Sequence, residues 1–167
     1  MSSIDRRSAL TAAGAAVLLL GGCLRPMLAE TGDAADLRGR IALPPVDDRF
    51  SYHVAQSLED RLGAPARGDL PWQLDLRTTV QERRFAVAQD NSVTRITLAA
   101  TATWTVRAAG EPDPVLEGIE TTQSGYSATS SLFATREIRR DIERRLALDL
   151  AERVARAILA RADALVS

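Results

Sequence analysis

The stretch VTRITLAATATWTVRA, residues 93–108, decides the fold. Ile96, Leu98, Ala100, Ala102, Trp104 and Val106 take every second position, while Arg95, Thr97, Ala99, Thr101, Thr103, Thr105 and Arg107 take the others. Successive side chains of a strand point to opposite faces, so a period of two kept up from Val93 to Ala108 predicts one long strand. Its apolar face is covered and its threonine face is left open.

Upstream, Trp72, Leu74, Leu76, Thr78 and Val80 alternate with polar residues, after which Phe85 and Val87 continue on the opposite parity. That phase change near Glu82-Arg83-Arg84 predicts a bulge, because a slip of one residue moves side chains to the other face. A turn at Gln89-Asp90-Asn91-Ser92 joins the two runs as an antiparallel hairpin. Downstream, AAGEPDP reads as a turn and Val115 to Gln123 as a further strand. Beyond SGYSATSS, residues Ile138, Ile142, Leu146, Leu150, Val154 and Ile158 recur every four positions, widened by Leu148, Ala151 and Ala155, which predicts a long amphipathic helix. Asp141 with Arg145, Asp149 with Arg153 and Glu152 with Arg156 stand at i and i+4 along its exposed side.

Toward the N-terminus, LRGRIALPPV (37–46) carries a short strand signal ended by Pro44-Pro45. Asp47 or Asp48 then caps a helix whose Phe50, Val54, Leu58 and Leu62 form a stripe that stops at Gly63. The order strand, helix, three strands, long helix predicts an α+β fold: a four-stranded, mainly antiparallel sheet with two helices packed on one face, a two-layer sandwich. The helices cover the Trp104 face.

Residues 1–22 have the layout of a lipoprotein signal peptide: Arg6-Arg7 in the head, an apolar run from Ala9 to Leu20, then Gly21-Gly22. The run is too short to span a bilayer core of ~30 Å. Leu20-Gly21-Gly22-Cys23 resembles the bacterial lipobox, which implies diacylation of Cys23 by fatty acids such as palmitate and removal of the peptide before it, so that Cys23 becomes the lipidated first residue. Cys23 is the only cysteine, so no disulfide forms within the chain. Multiple acyl chains hold such a protein on a membrane. The domain reading is therefore 1–22 signal, 23–36 lipidated tether without periodicity, and 37–167 a single α+β domain. Arg6-Arg7 also resembles the pair of a twin-arginine export signal, although its surroundings match poorly.

Without residues 1–22 the chain keeps 19 basic and 21 acidic residues. That balance argues against a nucleic-acid partner, which calls for a basic excess. Every basic residue is arginine, which fits a GC-rich genome and also suits bidentate contacts to phosphate or carboxylate. His53 is the only histidine, so no multi-histidine metal site exists, and it sits beside the helix stripe rather than on it. No nucleophile elbow, phosphate-cradling loop or zinc-binding helix motif stands in the chain. The reading is a protein that is not an enzyme, without metal or cofactor beyond the covalent lipid on Cys23.

The open strand face reads in two ways. Threonine favours exposed strands in any case. A flat, polar and nearly uncharged surface, with Thr97, Thr101, Thr103 and Thr105 at its centre, also suits contact with another protein or an amphiphile, because it desolvates no unpaired charge. Arg83, Arg84, Arg95 and Arg107 border it, and an arginine fork suits a phosphate.

The lipobox, LRGRIALPP, DDRFSYHVAQSLEDRLG, VTRITLAATATWTV and VLEGIETTQSGYSATSSLFATREIRRDIERRLALDLAERVARAIL, in that order, resemble the LPS-assembly lipoprotein LptE family in its alphaproteobacterial form. The resemblance covers nearly all of the chain after Cys23. It departs in the tether, where Leu24 alone separates Cys23 from Arg25-Pro26 and the family commonly has Gly and an aromatic. The resemblance implies two helices against a four-stranded sheet, and an outer-membrane protein facing the periplasm that plugs the large β-barrel LptD, helps it assemble and takes part in lipopolysaccharide delivery. Arg83, Arg84 and Arg95 are the candidate contacts to lipopolysaccharide or its lipid A. The competing readings are an auxiliary lipoprotein of a periplasmic ABC-type lipid transport system and an envelope enzyme using His53.

Overall fold

The computed structural model describes residues 32–87, 93–127 and 131–166. Helix α1 (Asp33–Asp36) leads to a two-residue strand β1 (Ile41–Ala42), then helix α2 (Arg49–Leu62), strands β2 (Trp72–Val87), β3 (Val93–Ala108) and β4 (Pro114–Ser127), the long helix α3 (Leu132–Leu159) and a last turn α4 (Asp163–Val166). The sheet order is β1-β2-β3-β4. β1 runs parallel to β2, and the other pairs are antiparallel. This is the expected α+β architecture. The expected tether ends in structure, since its last four residues form α1, and Leu37 directly behind them is buried.

The alternation in β3 does what its spacing predicts. Leu98, Ala100, Ala102, Trp104 and Val106 are buried, and they meet Leu74 of β2, Val54, Leu58 and Leu62 of α2, and Leu146, Leu150, Val154 and Ile158 of α3. Ala147, Ala151 and Ala155 are also buried, small residues that let α3 approach its neighbours closely. Leu148, expected to widen the stripe, is instead exposed, and Ala147 takes the buried position. All three expected i,i+4 ion pairs form on the outer side of α3.

Both ends of α2 follow from its flanking residues. The Asp48 carboxylate accepts from the Ser51 amide at 2.8 Å while the Ser51 hydroxyl accepts from the Asp48 amide at 3.0 Å, so two otherwise unsatisfied donors pair reciprocally. At the other end Gly63 has φ +87°, and a Cβ there would fall 2.8 Å from the Gly39 nitrogen. Only glycine allows the chain to turn this close to the β1 segment.

The expected bulge at residues 82–84 is absent. β2 and β3 pair without a shift from Trp72↔Ala108 to Arg84↔Ile96 and on to Phe85↔Arg95, and the irregularity lies between Val106 and Arg107 in the β3–β4 ladder. The parity change in the sequence marks the end of the core instead. Glu82 and Arg84 occupy the helix-side positions there, with the Glu82 carboxylate accepting from Arg84 at 2.7 Å and from Arg139 of α3 at 2.9 Å. Charged residues paired to a helix have replaced apolar ones.

Helix α3 runs antiparallel to β4. The Thr122 hydroxyl donates to Asp149, and Arg161, twelve residues further on, donates to the Glu117 carbonyl at 3.3 Å. α1 packs against α4 at the C-terminal end of this helix, so Gly32 and the chain's C-terminal turn share one end of the molecule.

Candidate functional site

With both helices on the Trp104 side, the other side of the sheet carries no described element. Strand pairing sets its pattern. β3 contributes Arg95, Thr97, Ala99, Thr101, Thr103, Thr105 and Arg107, and opposite them on β4 stand Ser127, Gly125, Gln123, Thr121, Ile119, Glu117 and Pro114. On the β2 side Arg83 pairs with Thr97, Gln81 with Ala99, Thr79 with Thr101 and Arg77 with Thr103. Thr103 is exposed, while Thr97, Thr101 and Thr105 are half-buried by their cross-strand neighbours. All four expected threonines therefore share one open face. Small Ala99, ringed by longer polar side chains, leaves a depression of about 530 Å³ lined by Gln81, Arg83, Thr101, Thr121 and Gln123, which extends to Thr122 and to Arg153 of α3.

The four bordering arginines divide into two kinds. Arg83 and Arg95 lie on the open face as diagonal neighbours, since Arg83 pairs with Thr97 and Arg95 stands two residues before it. Such positions are ~7–8 Å apart, within reach of one anionic group. Neither forms an ion pair with a described residue. The Arg95 guanidinium crosses the bare backbone of Gly125, its Nε lying 3.8 Å from where a Cβ would stand. Arg84, by contrast, points to the helix side and is engaged by Glu82. Arg107 is on the open face, but it donates to Asp75 through Nε at 2.7 Å and through its terminal nitrogen. A carboxylate held that closely neutralises it, so it offers little to an incoming anion.

The structure thus brings together two of the three expected lipopolysaccharide contacts and separates the third. It adds Arg77, exposed on the same face and without an ion pair to a described residue. Its odd position in β2 was visible in the sequence and would have flagged it, as would the even position of Arg84 have excluded that residue. The β4 share of the face, Ile119, Thr121 and Gln123, carried a weaker signal, because Gly118 interrupts the apolar alternation of the strand. Cys23, the expected lipid attachment site, lies outside the described residues.

Electrostatics are strongest on the helix side. The Thr122 hydroxyl, together with Arg153 at 3.1 Å, holds the Asp149 carboxyl below its ordinary range despite partial burial. Burial, with Glu82 nearby, pushes the Tyr126 phenol up. These groups tie α3 to the sheet. His53 is half-exposed on α2, edge-on to Tyr52 at 5.7 Å between ring centroids. Among the described residues no group of His, Cys, Asp and Glu could hold a metal ion, and no helix is long and apolar enough to cross a membrane.

No family model and no curated protein matches the sequence. Solved structures do share its fold. A candidate lipoprotein from Caulobacter crescentus CB15 superposes with a TM-score of 0.63 at 17% identity, over 79% of this chain and 98% of that one. The minor lipoprotein from Acinetobacter baumannii gives 0.60 at 16% identity, over 72% and 90%. Rare lipoprotein B from Shewanella oneidensis gives 0.58 at 13% identity, over 75% and 97%. A sheet with helices packed on one side is thus a fold that this chain has in common with bacterial lipoproteins.

Proposed function

We propose that this protein is an outer-membrane lipoprotein, anchored through acylated Cys23 and facing the periplasm, that acts as plug and assembly partner of a large LptD-like β-barrel in lipopolysaccharide transport. The observation that carries the reading is the open sheet face. It is threonine-rich along β3 and carries Arg77, Arg83 and Arg95, which form no ion pair with a described residue, so a barrel wall that covers it must be polar and offer acceptors to these three guanidinium groups. Fold likeness to bacterial lipoproteins and the lipobox at Leu20–Cys23 both support the anchor. Arg83 and Arg95 suit the phosphates of lipid A. The protein works by binding, not turnover, and calls for no metal or cofactor.

The test is a mild-detergent pull-down of the tagged protein from its own outer membrane, with partners identified by mass spectrometry. A stoichiometric large β-barrel is expected. Recovery of an ATPase and a permease instead would transfer the protein to an ABC-type lipid transport system.

A further inference from the structure

We infer that the free edge of β2 accepts an extended segment of a partner protein as a fifth strand, one whose side chains alternate apolar with polar and are acidic where they face Arg77 and Arg83. β1 covers β2 only at Trp72 and Gln73. Pro44-Pro45 follow at once and turn the chain away into α2, whereas β2 continues to Val87. From Leu74 onward one side of β2 therefore has no strand neighbour among the described residues, and its backbone donors and acceptors on that side form a template for pairing. The other edge of the sheet differs. α3 packs along β4 and ties it through Thr122 and Asp149 and through Arg161 to the Glu117 carbonyl.

Both faces of the vacant position specify what fits. On the helix side a cleft of about 250 Å³ beside β2 is lined by Thr78, Val80 and Phe50 of α2 and also by the charged Asp48, Glu82, Arg139 and Glu143. Phe50, Leu76 and Val80 are only partly buried although they pack against the core. An apolar side chain from an added strand would complete their burial. On the open face Arg77 and Arg83 are exposed and lack ion pairs with described residues, and six residues of strand set them ~20 Å apart. Acidic residues in an added strand would face them, six positions apart on one side of the segment. A second copy of this chain fits poorly. Antiparallel self-pairing centred on Val80 sets Arg77 of each copy against Arg83 of the other, and directly opposed like charges are destabilising.

The inference goes beyond the transport reading and stands without it, since it needs only this edge. Its test uses a fluorescein-labelled peptide, Asp-Val-Thr-Val-Thr-Val-Asp with blocked ends, titrated onto the intact detergent-solubilised protein and followed by anisotropy. The same peptide with Arg in place of Asp is the control. The acidic probe is expected to bind at least ~10-fold tighter, and Arg77→Glu with Arg83→Glu to reverse that preference. Hydrogen exchange on the unmodified protein should show probe-dependent protection of amides within residues 74–87 and not within 114–127, a footprint that decides the matter even where the double variant fails to fold. Equal affinities, no binding of either probe, or protection on β4 would overturn it. Absence of binding would leave Arg77 and Arg83 as charges that merely keep the edge from aggregating. Protection of the same amides that rises with protein concentration, without probe, would assign the edge to a second copy and equally overturn it.

Discussion

A Cβ placed on Gly118 would come within 2.6 Å of Cζ2 of Trp104. The two residues are direct cross-strand partners on the covered face, and the indole lies flat over the glycine backbone. Arg161 stands over the same ring, 5.1 Å from its centroid. The largest side chain of the core thus rests on a residue with no side chain and also meets a cation. Gly118→Ala must push the indole aside in a packed interior, and overpacking of this kind costs about 1–3 kcal/mol. Urea unfolding should show a lowered midpoint with an unchanged slope.

The split among the arginines gives a second expectation. Arg83→Glu combined with Arg95→Glu should weaken lipopolysaccharide binding at least ~10-fold, the loss of two charge-assisted contacts. Arg84→Gln should leave binding unchanged, because that guanidinium serves Glu82 on the other side of the sheet. Titration of immobilised lipopolysaccharide with each variant measures both. Equal losses in the two would mean that binding follows net charge and not this face.

Asp149 sets a pH dependence. Its carboxyl titrates lower in the folded protein than the ordinary 3.8, chiefly through the Thr122 hydroxyl. The unfolded chain therefore takes up its proton first as pH falls. Stability from this group is fully present above about pH 4 and is lost as pH drops through the folded value. Asp149→Asn should flatten the acid side of a thermal-stability profile between pH 5 and pH 2 relative to the parent protein, a comparison that differential scanning calorimetry makes directly.

Cys23→Ala removes the atom that the lipobox reading assigns to the acyl chain. Growth with labelled palmitate should mark the parent protein and leave this variant unlabelled. Label retained on the variant would refute the anchor.

The sequence was most legible where one face is wholly buried. β3 is bounded at Val93 and Ala108 by its alternation, and α2 by the Asp47-Asp48 pair and Gly63, of which Asp48 is the cap, because each signal reflects a local constraint. β4 runs four residues past its expected end at Gln123, since pairing of Gly125 with Thr97 and Ser127 with Arg95 outweighs the turn-like character of Ser124 and Gly125. β1 shrinks to two residues because Leu37 and Gly39 are engaged in the turn against α2, and Pro44-Pro45 end any pairing. For the open face, strand parity alone separates Arg83 and Arg95 from Arg84. Placing all three at the border of one face overlooks that parity, and the parity change at Glu82-Arg83-Arg84 marks the end of the core on β2 and not a bulge.

The antiparallel course of α3 along β4 gives the molecule two poles. Gly32, where the described chain begins, sits with α1 and α4 beyond Leu159, whereas Arg95 and Ser127 lie past the level of Arg139, whose charge reaches Tyr126. Twenty helical residues separate those levels, a rise of ~30 Å. On the proposed reading the chain forms a strut, with the end that leads toward Cys23 at one pole and Arg83 and Arg95, which form no ion pair with described residues, near the other. On that reading, a ligand gripped by Arg83 and Arg95 would sit about one bilayer thickness from the end that leads toward Cys23.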